Sequence, residues 1–142
     1  MLERMNSPHR HVIAKSSSEE DAEIVVGYCL MMKQTLRHEI PQLRAMFEQM
    51  DQIEIAGKPL SSLAYMVMGQ VCVAKAFRSQ GIFRRMYEKM RSLLMHDFDY
   101  IITEIDRRNQ RSLLAHQSVG FEVIQEFDEG DVHWLIVGWR LK

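Results

Sequence analysis

The chain has 142 residues, 46% hydrophobic and 26% charged, which matches one globular domain with a sizeable core. Eighteen basic against nineteen acidic residues leave a net charge of −1, which argues against bulk attraction to nucleic acid or to an anionic membrane. Two cysteines make no disulfide framework, no apolar run is long enough for a membrane span, and residues 1–10 lack the apolar stretch of a secretion signal; the sequence reads as one cytoplasmic domain over 1–142.

In chain order, residues 1–10 read as a loose end, and 11–15 as a short strand carrying Val12, Ile13 and Ala14. Residues 16–21 form a polar turn, and the β-branched run 24–32 predicts the second strand of an antiparallel hairpin. Gly27 inside it marks a bulge or a close backbone approach. Residues 36–52 have helical spacing, with Ile40, Leu43, Met46, Phe47 and Met50 on one face and Pro41 in the first turn. Residues 55–62 read as a loop, 65–73 as a strong strand and 76–80 as a connector.

Gly81 opens a helix whose Ile82, Met86, Met90 and Leu93 recur on one stripe, widened by Phe83, Tyr87 and Leu94. Residues 100–105 read as a buried strand, and 110–119 as a short helix stopped by Gly120. Residues 121–127 and 132–140 form a hairpin around Glu129-Gly130-Asp131. The order β-β-α-β-α-β-α-β-β defines an α/β fold, a mixed sheet with helices on its faces. Met66, Met68, Met86 and Met90 read as adaptable core filler, Cys29 and Cys72 as buried free thiols, and Trp134 and Trp139 as core or interface.

The chemistry concentrates between residues 71 and 85. A strand feeds a polar turn with one glycine, and an amphipathic helix follows at once. Helix N-termini carry unpaired N–H groups and a partial positive charge. Gly81 allows close backbone approach, and Arg78, Arg84 and Arg85 add formal charge; together these features predict a diphosphate site. The plain alternative is an ordinary strand–loop–helix connection.

Arg78-Ser79-Gln80-Gly81-Ile82, after a strand ending in Val73, resembles the cofactor motif of the GCN5-related N-acetyltransferase (GNAT) family, Q/R-x-x-G-x-G/A, with Phe83 in place of the second small residue. Residues 102–105, Asn109, residues 112–116 and Gly120-Phe121 resemble the family's next motif. The resemblance covers roughly residues 22–142. It implies a mostly antiparallel central sheet whose fourth and fifth strands splay apart, with helices on both faces. The family's strand–helix–helix unit before the first hairpin is read as missing here.

The resemblance further implies acetyl-CoA as cosubstrate and an N-acetyltransferase reaction in a ternary complex. Val71, Cys72 and Val73 would face the pantetheine arm. Main-chain N–H groups of Gln80, Gly81, Ile82, Phe83 and Arg84 would hold the pyrophosphate, joined by Arg78. Asn109 would touch the cofactor, cap its helix, or both. It shares a helix face with Ser112 and His116.

His116 stands where the family often has the tyrosine that protonates the departing thiolate; it is read either as that acid or as a half-exposed hydrogen-bonding side chain. Glu104 is read as the base, with Gln70 orienting water, or as the partner of Arg107 or Arg108. Arg107, Arg108 and Arg111 form a solvated cluster or a contact for a phosphate or an acidic acceptor. The expected acceptor is a small-molecule or peptide amine, with no nucleic acid, no membrane and no metal, and a homodimer is compatible. The competing reading is an acyl-CoA-binding or regulatory module without catalysis.

Overall fold

The computed structural model describes residues 11–17 and 23–142. Residues 1–10 and the tip of the first predicted turn lie outside them. Strand β1 (Val12–Ser17) and strand β2 (Glu23–Lys33) form the antiparallel hairpin that the sequence predicts. Their register shifts at Ala14/Lys15, so the bulge falls on Val26, next to Gly27. A Cβ on Gly27 would lie 3.2 Å from the Cys72 carbonyl and 3.2 Å from Met86 Cε, which explains the glycine.

The predicted helix over 36–52 is broken. Residues Gln34–His38 and Pro41–Leu43 are short 3-10 turns, and only Arg44–Met50 is α-helical, here α1. Ile40, preceding Pro41, is held at φ −123° and ψ 89°, because the proline ring disfavours α geometry one residue upstream. The apolar face survives the break: Ile40, Met46, Phe47 and Met50 are all buried. The stretch 55–62, expected as loop, begins instead with a small hairpin of β3 (Glu54–Ile55) and β4 (Lys58–Pro59).

Strand β5 (Tyr65–Val73) leads through a 3-10 turn into helix α2 (Ile82–Leu94) and then β6 (Tyr100–Asp106). Helix α3 (Gln110–Val119) and the hairpin of β7 (Glu122–Glu129) and β8 (Val132–Arg140) complete the chain. Gly130, at φ 57°, opens the two-residue turn of that hairpin, where a positive φ matches the twist of the strands. The main sheet has the order β1-β2-β5-β6-β8-β7 and is antiparallel except at β5–β6.

Two apolar layers sandwich the sheet. On one face, Met86, Tyr87, Met90 and Leu94 of α2 pack with Cys29, Met31, Met66, Met68 and Ile101, and Leu113 and Val119 of α3 join them. On the other, α1 packs with Met32, Tyr65, Val67, Ile102 and Ile136. The expected α2 stripe is rotated slightly: Leu93 is 47% exposed, while Tyr87 and Leu94 take the buried positions.

The β5–β6 pairing is short. Only Tyr65, Met66 and Val67 pair, with Tyr100, Ile101 and Ile102; beyond them the strands separate. Where they part, the buried Thr103 hydroxyl donates to the Met68 carbonyl at 3.0 Å. At the same level the β2–β5 register shifts, so Gly69 is the extra residue of a bulge. The bulge resets side-chain parity. Met66 and Met68 face α2 before it, and Val71 and Val73 face α2 after it. Without it, Gln70 would point into the apolar layer.

Gly120 closes α3 at φ 128°, with its N–H donating to the His116 and Gln117 carbonyls. A Cβ there would sit 3.0 Å from Trp139 Nε1. Gly120→Ala is expected to lower stability by about 2 kcal/mol through strain and crowding against the indole, read by urea denaturation.

Candidate active site

The fork opens into a cleft of about 780 Å³ between the end of β5, the start of α2 and the first turns of α3. Among the described residues its lining includes Lys75, Arg78, Arg84 and Arg111 and no carboxylate. A near-neutral chain thus concentrates four cations on one concave surface.

Gly81 is the N-cap residue of α2, at φ 78° and ψ 5°. It brings no side chain to cap the helix, so the N–H groups of Ile82, Phe83 and Arg84 have no intrahelical acceptor; the first intrahelical bond is Arg85 N–H to the Gly81 carbonyl. Nothing lies within 4 Å of a Cβ built on Gly81, so the backbone is open to an anion. Ser79, also left-handed at φ 62°, turns the chain back before it. Phe83, the departure from the family motif, packs its ring edge-on against Tyr87 and His116 with centroids 5.0 and 4.9 Å away. An aromatic residue is therefore accommodated here by the core.

Val71, Cys72, Val73, Arg78, Gly81, Ile82, Phe83, Arg84, Asn109 and Ser112 all line the cleft. Cys72, expected to be buried, is exposed, while Cys29 is buried and its thiol is pushed up to about 12 by desolvation. Asn109 does cap α3, accepting from Ser112 N–H at 3.2 Å. Arg78 donates to the Val73 carbonyl at 3.0 Å, and Arg84 donates to the Ser118 carbonyl, linking α2 to α3. The side chains of Gln80 and Arg85 do not line this cleft; they border a second hollow beside β1. Lys75, Phe77, Ser79, Ala115 and Ser118 also line the cleft. In the sequence Lys75 is only one more charge between the 65–73 strand and the 76–80 connector.

His116 takes the hydrogen-bonding and packing role, but it is fully buried rather than half-exposed. It is 1% exposed, caged edge-on by Phe83, Tyr87 and Phe121. Its Nδ1 lies 2.7 Å from the Ser112 carbonyl, which can only accept, so Nδ1 carries the proton. Nε2 then accepts from the Tyr87 hydroxyl at 2.7 Å. Burial lowers the pKa of the imidazole, with the bond to Ser112 opposing this. A neutral ring with both nitrogens committed and no cleft exposure is not placed to protonate a thiolate.

Glu104 lies on the opposite face of the sheet, the face of Ile102, just past the fork. Its carboxyl is pushed up to about 7 by burial and, secondarily, by the charge of Glu129. Its Oε2 is buried without a hydrogen-bond partner. The alternative partner reading does not hold among the described residues: Arg108 is paired with Asp106 at 2.8 Å. Arg107 lies beyond the strand end, its N–H bonded to the His133 carbonyl. Gln70 is exposed on the neighbouring strand.

No family model matches the sequence, and no curated protein matches it. Solved structures do match in fold. Ribosomal-protein-S18-alanine N-acetyltransferase from Escherichia coli superposes with a TM-score of 0.56 at 10% identity over 96% of this chain and 72% of its own. An acetyltransferase of the GNAT family from Streptococcus pneumoniae gives 0.60 at 9% identity, over 97% and 70%. The Salmonella typhimurium protein yncA, solved with its cofactor acetyl-CoA, gives 0.53 at 16% identity over 84% of this chain; the chain spans 60% of yncA's length. The fold is that of the GNAT acetyltransferases, as the two motifs imply. Among the described residues no helix is long and apolar enough to cross a membrane, and no group of three metal-ligating side chains gathers.

The Tyr87–His116 pair offers a direct test of the buried network. His116→Phe is expected to cost about 1–3 kcal/mol by stranding the Tyr87 hydroxyl, and Tyr87→Phe added to it to restore part of that loss. A double-mutant cycle by chemical denaturation measures the coupling.

Proposed function

We propose that the chain is an acyl-CoA-dependent N-acyltransferase, with acetyl-CoA as the expected cosubstrate and an amine of a small molecule or peptide as acceptor. The observation that carries this reading is the β5–β6 fork, with a cation-lined helix N-terminus on one side and a partnerless buried carboxylate on the other. Structural neighbours with CoA species point the same way: yncA with acetyl-CoA, and the NatC complex bound to Gag peptide and CoA, which has a TM-score of 0.63 at 13% identity.

The residues present fit the cofactor. The unpaired N–H groups of Ile82, Phe83 and Arg84 suit the diphosphate, and Arg78, Arg84, Lys75 and Arg111 supply charge for it and for a further phosphate. Residues 69–73 have no strand partner on the β6 side, where only the Val73 carbonyl is already taken, by Arg78, so this edge suits an extended amide-bearing arm. Bound acetyl-CoA would supply a thioester whose carbonyl carbon the acceptor nitrogen attacks, forming an amide bond as the carbon–sulfur bond breaks; the nitrogen's second proton would pass to the departing thiolate, directly or through water, to give the coenzyme A thiol.

Glu104 takes the proton that the acceptor ammonium must lose. A lysine-like ammonium titrates near 10.4. Handing its proton to a carboxylate with a pKa of about 7 is uphill by about 4.6 kcal/mol, against roughly 8 kcal/mol for one at the model value of 4.5. Burial of Glu104 therefore lowers the cost of making the free amine. A main-chain N–H at the fork would serve the developing oxyanion.

Calorimetry with acetyl-CoA and coenzyme A tests the first half. Both should bind, and Gly81→Glu, which puts a carboxylate and a strained residue at the cradle, should weaken binding by at least about ten-fold. No heat with either species would overturn the reading.

Thiol release across an amine library tests the second half. Glu104→Gln should lower kcat/KM by roughly 10²–10³. With the wild type, kcat/KM at low acceptor should rise with pH through an apparent value near 7, because only the ionised carboxylate accepts a proton. The variant should lose that limb.

A further inference from the structure

Strand β1 ends the main sheet. It pairs with β2 and has no strand on its other side among the described residues. An open main-chain edge of this kind is a template for a further strand. Beside it runs a second hollow, of about 610 Å³, separated from the cofactor cleft by Phe77 and Ile82, which line both. The five consecutive residues from Val12 to Ser16 line this hollow. Side chains alternate across a strand, so an unbroken run of five means that β1 meets the hollow along its main chain.

The facing wall is a stripe of α2, with Ile82, Arg85, Met86 and Lys89 at i, i+3, i+4 and i+7. Ile82 and Met86 pack with Val12 and Ala14 in the apolar layer, which floors the hollow. Arg85 and Lys89 stand exposed above that floor. Neither joins an ion pair among the described residues. No carboxylate among those residues lines the hollow; Glu88 lies off the stripe and outside it. On the other face of the same edge, alternation from Ala14 places Ile13, and register with Lys15 places Val25 beside it. These two apolar side chains are 51% and 52% exposed.

Each feature selects a property of the occupant. The open edge needs N–H and C=O groups at strand spacing, which a peptide has and a polynucleotide or a free anion lacks. The cations select acidic side chains on the α2 side. Acidic residues two apart on a strand are separated by about 6.8 Å, close to the rise of about 6 Å between Arg85 and Lys89. The intervening side chains point to the face of Ile13 and Val25, where apolar residues remove exposed surface from water.

We propose that the β1 edge and the α2 stripe form a docking groove for an extended acidic peptide of a partner protein. The peptide adds a strand to β1, with its acidic side chains toward Arg85 and Lys89 and its apolar ones toward Ile13. This groove is independent of the acyl-transfer reading and is tested without cosubstrate.

The probe is an eight-residue peptide of alternating glutamate and valine, blocked at both ends and titrated into the intact protein by calorimetry. It should bind at least about ten-fold tighter than the peptide of alternating lysine and valine. Arg85→Ala combined with Lys89→Ala should weaken its binding at least about ten-fold; both sites are exposed and alanine favours helix, and circular dichroism checks that the variant is folded. The same peptide N-methylated at every residue, which keeps the charge but cannot pair as a strand, should not bind. Hydrogen exchange with the unmethylated peptide bound should slow within residues 12–17. No binding to the intact chain would overturn the inference, whether a second copy or the chain's own residues 1–10 hold the edge. Equal binding of the methylated peptide would also overturn it, by reducing the groove to a charged patch. So would affinity unchanged in the double variant, or exchange unchanged across residues 12–17.

Discussion

The parting of β5 from β6 is the constraint on which the rest of the structure depends. Three residue pairs hold the strands together, and the Thr103 hydroxyl then takes the Met68 carbonyl where the ladder ends. A parallel pair continued to Asp106 would have filled the space with main-chain hydrogen bonds. Instead β5 stays paired to β2 while β6 stays paired to β8, so the sheet remains continuous below the fork and open above it. The bulge at Gly69 makes the opening compatible with a packed core. It turns Val71 and Val73 toward α2 and sends Gln70 and Cys72 to the other face.

The fork also separates charge. On the α2 face, Lys75, Arg78, Arg84 and Arg111 gather with the free amides of a helix start, a surface suited to phosphates. On the α1 face, Glu104 and Glu129 lie over apolar side chains. A net charge of −1 conceals this polarity, because the two groups lie on opposite faces of the sheet. The same geometry would let a thioester enter from one face and an ammonium from the other, each drawn by the sign it lacks.

The helices that bound the cleft are tied to one another by polar contacts. His116 links the Tyr87 hydroxyl of α2 to the Ser112 carbonyl of α3, and Arg84 reaches Ser118 at the far end of α3. A buried polar chain of this kind is favourable because every member is satisfied and the aromatic cage excludes water. His116 therefore holds the wall of the cleft rather than facing into it.

What the sequence determined by itself is whatever depends on neighbours along the chain. The 65–73 strand, the helix at 110–119 with its asparagine cap and glycine stop, and the turn from Val73 to Arg84 are local patterns of periodicity, capping and backbone freedom. The structure has them where the residues put them. The break in the 36–52 helix is also written in Pro41, although the apolar spacing runs on across it. What only the tertiary structure decided depends on contacts between distant segments. His116 is neutral and enclosed because Phe83, Tyr87 and Phe121 converge on it. Glu104 is a poised carboxyl because burial and Glu129 act on it, and Cys72 is exposed because the fork opens beside it. Desolvation and field are properties of three-dimensional surroundings, and no local spacing of residues encodes them.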